Sequence, residues 1–225
     1  AIEILKDKYA KKQKNPSFRS LENYQALSDL GLIFQGKVTN AAVILVGKKD
    51  IINSKYPQAK ISLEYRTGES NIHFDAREFF DGPYYIMIDK LWAAINSRNG
   101  SVPVRNGIYK DYDIPLFNED VIREALNNAI AHRAYDIQGE IVVKQYPTQM
   151  IFVNPGGFPH GVTIDNILYV QSTPRNRLLA DVLSKTGLVE RSGQGVDNIF
   201  LDTLSEGKPA PDYSKTDDFC VTLIL

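Results

Sequence analysis

The segment Arg123-Glu124-Ala125-Leu126-Asn127-Asn128-Ala129-Ile130-Ala131-His132 constrains this chain more than any other. Its spacing predicts a helix on which Glu124, Asn128 and His132 stand four residues apart and share one face. Asn118 precedes it as a cap, and Glu119 and Asp120 occupy its first turn, where acidic side chains suit the helix dipole. A carboxylate, an amide and an imidazole in a row can serve a water, a hard metal ion and a phosphate. The same spacing also occurs on ordinary surface helices, so its meaning depends on the rest of the chain.

Two glycine turns lie downstream. Asn154-Pro155-Gly156-Gly157 comes directly after an apolar run, and Ser192-Gly193-Gln194-Gly195 opens a further helical pattern. Glycine lets a backbone approach a ligand without a Cβ, and the N–H groups of a helix N-terminus attract phosphate. Arg175 and Arg177 lie between the two turns as candidate phosphate contacts. A plain loop and a plain helix cap would carry the same residues.

Around this core the chain reads as a mixture of helices and strands. Residues 2–14 carry Lys6, Lys8, Lys11, Lys12 and Lys14 around Ile2, Leu5 and Tyr9, which predicts an amphipathic helix with a solvated basic face. A short helix over 20–30 ends at Gly31. The apolar run 38–47 is a buried helix or a buried strand. Residues 59–66 alternate as a strand. Residues 84–96 repeat at helical spacing up to Asn99-Gly100. Residues 101–117 form two extended runs broken at Asn106-Gly107, with Pro115 suited to an edge. Beyond the opening helix, 140–145 and 149–153 read as paired strands, 176–185 and 196–204 as helices, and 219–225 as a final strand. The expected fold class is α+β, with helices covering one face of a mainly antiparallel sheet. The expected division is a smaller α+β connecting or dimerisation subdomain over residues 1–100 and a ligand-binding domain over 101–225.

Bulk properties narrow the function. The net charge is −1 over 225 residues, so the whole chain is no polyanion binder, and direct DNA contact through the lysine-rich start ranks last. Cys220 is the single cysteine, which rules out an internal disulfide, suits a cytoplasmic location and reads as a buried structural thiol. No apolar run has the length of a membrane span, and no secretory signal is visible. The chain begins at Ala1 and closes inside an apolar run, so a piece of a longer protein is expected. No G-x-x-x-x-G-K-[ST] phosphate loop is present, and a helicase motor of the RecG type needs one.

The order helix, strand, strand, glycine turn, loop, glycine turn, helix, strand resembles the ATP-binding domain of gyrase and the histidine kinases (the Bergerat or GHKL fold), over roughly residues 113–225. Asn128 to His132, with Glu140-Ile141-Val142-Val143 after them, is similar to the histidine-kinase version of its asparagine box. A resemblance to a family of transcriptional regulators, also labelled RecG-related ATP-dependent DNA helicases, covers nearly the whole chain. It rests on Leu30-Gly31-Leu32, Thr39-Asn40-Ala41, Arg77 to Pro83, Glu124 to His132, Asn154 to Gly157, Arg175-Asn176 and Leu188 to Gly195.

That family carries Schlafen AlbA-type DNA-binding domains, and many members add a winged helix. Neither is present here, so contact with DNA would run through domains outside this fragment. The resemblance implies ATP and Mg²⁺ as cofactors, Glu124 as general base and Asn128 as Mg²⁺ ligand. It implies phosphate contact by His132, and a pocket lined by Asn154, Gly156, Gly157, Arg175, Gly193 and Gly195. Asn154 stands where the first glycine box of the fold begins with Asp. The readings are therefore a nucleotide-binding module with weak ATPase activity, in a homo-oligomer, or a degenerate scaffold that only dimerises.

Overall fold

The computed structural model describes residues 1–68, 73–106, 110–170, 173–189 and 195–225. The first half runs α1 (Ile2–Lys12), a 3-10 turn (Pro16–Ser20), α2 (Asn23–Asp29), β1 (Ile33–Phe34), β2 (Lys37–Val38), α3 (Asn40–Val46), α4 (Lys49–Lys55), β3 (Lys60–Tyr65), β4 (Ala76–Asp81) and α5 (Tyr84–Asn96). The second half runs β5 (Ser101–Asn106), β6 (Lys110–Pro115), α6 (Glu119–His132), β7 (Ile141–Gln145), β8 (Met150–Pro155), α7 (Arg177–Lys185), α8 (Gly195–Ser205) and β9 (Cys220–Ile224). This is an α+β fold.

The ambiguous run 38–47 is helical. Thr39 decides its start by accepting the Ala42 N–H at 3.2 Å while donating to the Leu32 carbonyl at 2.9 Å. The α4 helix and the β4 strand carry no clear periodic signal. Only Ile52 of α4 is buried, and β4 sits at a sheet edge with Arg77, Glu78 and Phe79 exposed in succession. Asn106 and Lys110 pair as the last rungs of the β5–β6 hairpin, and its turn lies outside the described residues.

Among the described residues the main sheet has the order β4-β3-β7-β8-β9. Every pairing is antiparallel except β3 with β7. The registers align Leu63, Val143, Phe152 and Leu223 in one row across four strands, all buried. Helices cover this face. The α6 helix contributes Val121, Ile122, Ala125, Leu126, Ala129 and Ile130 at helical spacing, and α5 contributes Ile88, Leu91 and Ile95. Burying each large side chain contributes about 1.5–3 kcal/mol.

The sheet and the core both run across residue 100. The β3 and β4 strands come from the first half and pair into the same sheet as β7, β8 and β9, and one apolar cluster draws on both halves. Buried polar contacts do the same. Tyr84 donates to Asn127 Oδ1 at 2.7 Å, and the Tyr85 hydroxyl lies 2.6 Å from that of Thr186. The expected division at residue 100 is thus not a division of the sheet or of the core.

Candidate functional site

The α6 helix starts as its sequence dictates. Asn118 Oδ1 accepts the Asp120 N–H at 2.8 Å and the Val121 N–H at 3.5 Å. Its other end explains much of the site. A helix leaves its last carbonyls without intrahelical donors, and a buried end must find donors elsewhere. Asn154 Nδ2 donates to the Ala129 carbonyl at 3.1 Å. Asn176 donates its backbone and side-chain N–H groups to Ala131, at 3.0 and 3.1 Å, and its side chain also reaches Arg133 at 2.7 Å. Arg175 Nε donates to the His132 carbonyl at 3.2 Å, and Arg175 Nη2 to Gly157 at 2.9 Å. Asn154, Arg175 and Asn176 therefore cap α6 between them. Sequence reasoning assigned Asn154 and Arg175 to a ligand and did not single out this shared task.

A cavity of about 540 Å³ lies between the sheet and the helices α6, α7 and α8. Asn128, His132, Asn154, Gly157 and Gly195 line it. Glu124, Gly156 and Arg175 are not among its lining residues, and Gly193 lies outside the described residues. Its floor is Phe152, Asn154, Val221 and Leu223, and Gly157, Phe158, Pro159, Val162, Ile167 and Val170 from the stretch after β8 line it as well. Arg177 and Ser184 come from α7, and Ile199 from α8. The Phe158, Ile199 and Tyr213 contributions carried no local signal, because three separate segments bring them together.

Asn154, Asn128 and His132 give the cavity its chemistry, with Glu124 bonded behind Asn128. Asn154 is buried, and its Oδ1 has no hydrogen-bond partner among the described residues. Glu124 Oε1 accepts from Asn128 Nδ2 at 3.3 Å, so the spacing read from the sequence does bring these two together. Burial and the nearby Arg175 charge hold the His132 imidazole well below its usual range, at about 4, so it is neutral at pH 7. As a neutral ring it offers one donor and one acceptor.

Each described glycine has its own reason. A Cβ on Gly195 would press on the Glu124 carboxylate and come within 3.1 Å of Asn128 Nδ2. The first turn of α8 thus lies directly on the carboxylate–amide pair. Gly156 has φ +98°, and a Cβ there would come within 2.8 Å of the Ala134 Cβ. A Cβ on Gly157 would meet the carbonyls of Asp217 and Asp218 at 2.8 and 2.7 Å. The first glycine turn therefore permits close packing between the exit of α6 and the approach to β9.

Cys220 is half-buried rather than fully buried, because β9 carries it at the end next to the loop. Burial and the Asp217 charge push its thiol up, which keeps it protonated. Among the described residues no group of three or more His, Cys, Asp or Glu could hold a metal ion, and no helix is long and apolar enough to cross a membrane.

Known proteins share parts of this architecture. No curated protein matches the chain. Residues 1–62 match a domain family of unknown function (DUF8451). The DIP2311 protein of Corynebacterium diphtheriae, a crystal structure, shares the fold over 99% of this chain, with a TM-score of 0.80 and 23% sequence identity. This chain spans 44% of the length of that protein. Residues 138–223, which hold β7, β8, both glycine turns and most of β9, match the family described as "Putative ATP-dependent DNA helicase recG C-terminal".

Proposed function

We propose that this chain is a nucleotide-responsive module of a cytoplasmic transcriptional regulator, with ATP and Mg²⁺ held between the sheet and the helices α6, α7 and α8. The observation that carries the reading is Asn154 Oδ1, a buried acceptor in the cavity wall without a donor among the described residues. Such an atom costs about 1–3 kcal/mol. That oxygen has almost no surface on the cavity, so the exocyclic amino group of a base would supply the missing donor only once the Asn154 side chain turns toward it.

At the other end, Asn128 Oδ1 and the Glu124 carboxylate offer hard oxygens one helical turn apart. Mg²⁺ suits a site with one or two protein oxygens, because phosphates and waters complete its shell and it neutralises phosphate charge when bound. The neutral His132 can donate one N–H to a phosphate oxygen. For Glu124 to take a proton from an attacking water, the first turn of α8 must lift away from it. Binding therefore comes first in this reading, and hydrolysis is weak. Movement of residues 155–177 over the nucleotide would bias the orientation of DNA-binding domains outside this fragment, a population shift.

The test is calorimetry with a non-hydrolysable ATP analogue and Mg²⁺. Saturable binding by the wild type and its loss in Asn128→Ala is the expected result. No heat at millimolar ligand overturns the proposal.

A second reading, a scaffold without a nucleotide, draws on the contact of Gly195 with Glu124 and Asn128 and on the commitment of Arg175 to main-chain carbonyls. It expects no rise in melting temperature, whereas a ligand at about 100 times its Kd adds about 2.7 kcal/mol.

A further inference from the structure

The two edges of the main sheet are treated differently. The outer edge of β9 is covered, because Asp212 exchanges both backbone hydrogen bonds with Ile224 at 2.9 Å, and Thr216 Oγ1 bonds Thr222 through both its N–H and its carbonyl. Among the described residues β4 has no strand on its outer side. An uncovered edge is a template for another strand.

The sequence of β4, Ala76-Arg77-Glu78-Phe79-Phe80-Asp81, is complementary to itself. Phe80 is buried opposite Ile61, so Arg77, Phe79 and Asp81 share the other face, turned away from α5 and α6, where Lys49 and Asn53 of α4 reach Asp81 at 2.7 and 3.3 Å. In an antiparallel pair, residues directly opposite share a face. A second β4 related by a two-fold axis through Phe79 places each Arg77 opposite the partner's Asp81, whose carboxylate it would share with Lys49, and Phe79 opposite its own copy. Opposite charges and paired aromatics are the favourable cross-strand combinations.

Phe79 is also held ready. It is 51% exposed, yet the Arg77 guanidinium lies 4.7 Å and the Lys60 ammonium 5.3 Å from its ring centre. Arg77 in turn is fixed by Glu140 at 2.6 Å. An exposed ring that is already ordered loses little freedom on docking.

We infer that β4 is a two-fold interface at which a second copy of this chain adds its own β4 in antiparallel register, centred on Phe79. The partner is this chain itself, since the charge pattern fits its own reversal. The interface is isologous and closes at two subunits. It is independent of the nucleotide reading.

The test is sedimentation across a concentration series, together with oxidative cross-linking in a Cys220→Ser background. The wild type is expected at twice the 25.3 kDa chain mass, and Phe79→Lys, which sets two ammonium groups face to face, at the single mass. Phe79→Cys should form an intermolecular disulfide. Glu78→Cys should not, because its copy lies beyond the roughly 7 Å that a disulfide spans between Cα atoms. A wild type that stays monomeric at all concentrations overturns the inference. So does a dimer that survives Phe79→Lys, or equal cross-linking by the two cysteine variants.

Discussion

Asn154 donates its side-chain amide to the Ala129 carbonyl, 3.1 Å away, while its own buried oxygen has no partner among the described residues. The same carbonyl accepts the Arg133 N–H at 2.9 Å, so Asn154 supplies a second donor at the end of α6. Only a group with an N–H or O–H can fill that position.

Asn154→Asp tests this relationship. A carboxylate at 154 would set an oxygen against the Ala129 carbonyl with no proton between them, at a cost of about 1–3 kcal/mol. A protonated carboxyl restores the donor, so the folded-state pKa of the new group would lie above its unfolded value of about 3.9. Stability is then greatest below that unfolded value and falls as pH rises through the folded one. Urea midpoints should show a larger deficit for the variant at about pH 8 than at about pH 5. A deficit independent of pH would contradict the donor role.

Gly195→Ala tests the contact between α8 and the carboxylate–amide pair. Gly195 stands at the start of α8 in helical backbone, where alanine is at home. The added methyl group meets the end of the Glu124 side chain, which must turn aside and give up its bond to Asn128, at a cost of about 0.5–1.5 kcal/mol. Adding Glu124→Ala should recover much of the loss in a double-mutant cycle. Additive losses would mean that the two residues do not touch in solution.

Range in the chain decides how much of this was legible in the sequence. The Asn118 cap, the α6 face and the β7–β8 pair depend on neighbours a few residues away, and all are found where the spacing put them. The parallel pairing of β3 with β7 joins residues about eighty positions apart and left no local trace. The β4 strand escaped notice because Phe79 faces out and Phe80 faces in, so its pattern shows no clean alternation. At the site, Glu124 and Asn128 could be paired from their interval alone. The bonds from Arg175 to His132 and Gly157 could not, since they depend on how the chain returns to the end of α6.

Tyr84→Phe tests whether the two halves share one core. Tyr84 is fully buried, and its hydroxyl supplies the donor for Asn127 Oδ1, while Asn127 Nδ2 donates to the Leu188 carbonyl. Removing the hydroxyl leaves a buried amide oxygen unpaired, at a cost of about 1–3 kcal/mol. Because this bond joins α5 to α6, the whole chain should still unfold in a single transition with a lowered midpoint. Two transitions, with only the first shifted, would mean that the halves fold separately.

His132 gives the stability an acid limit with a defined window. Its folded-state pKa is about 4, against an unfolded value of 6.5, because burial and the Arg175 charge both disfavour the imidazolium. Below 6.5 the unfolded chain takes up a proton that the folded chain refuses. The contribution is therefore fully present above about pH 6.5, and it is lost as pH falls toward about 4, with a total on the order of 3 kcal/mol. His132→Gln removes the titrating group, so its urea midpoint should fall less than that of the wild type over this window. Arg175→Gln should raise the imidazole pKa, observed directly by NMR of the ring protons, and narrow the window. Parallel acid losses in the wild type and His132→Gln would show that His132 does not set the limit.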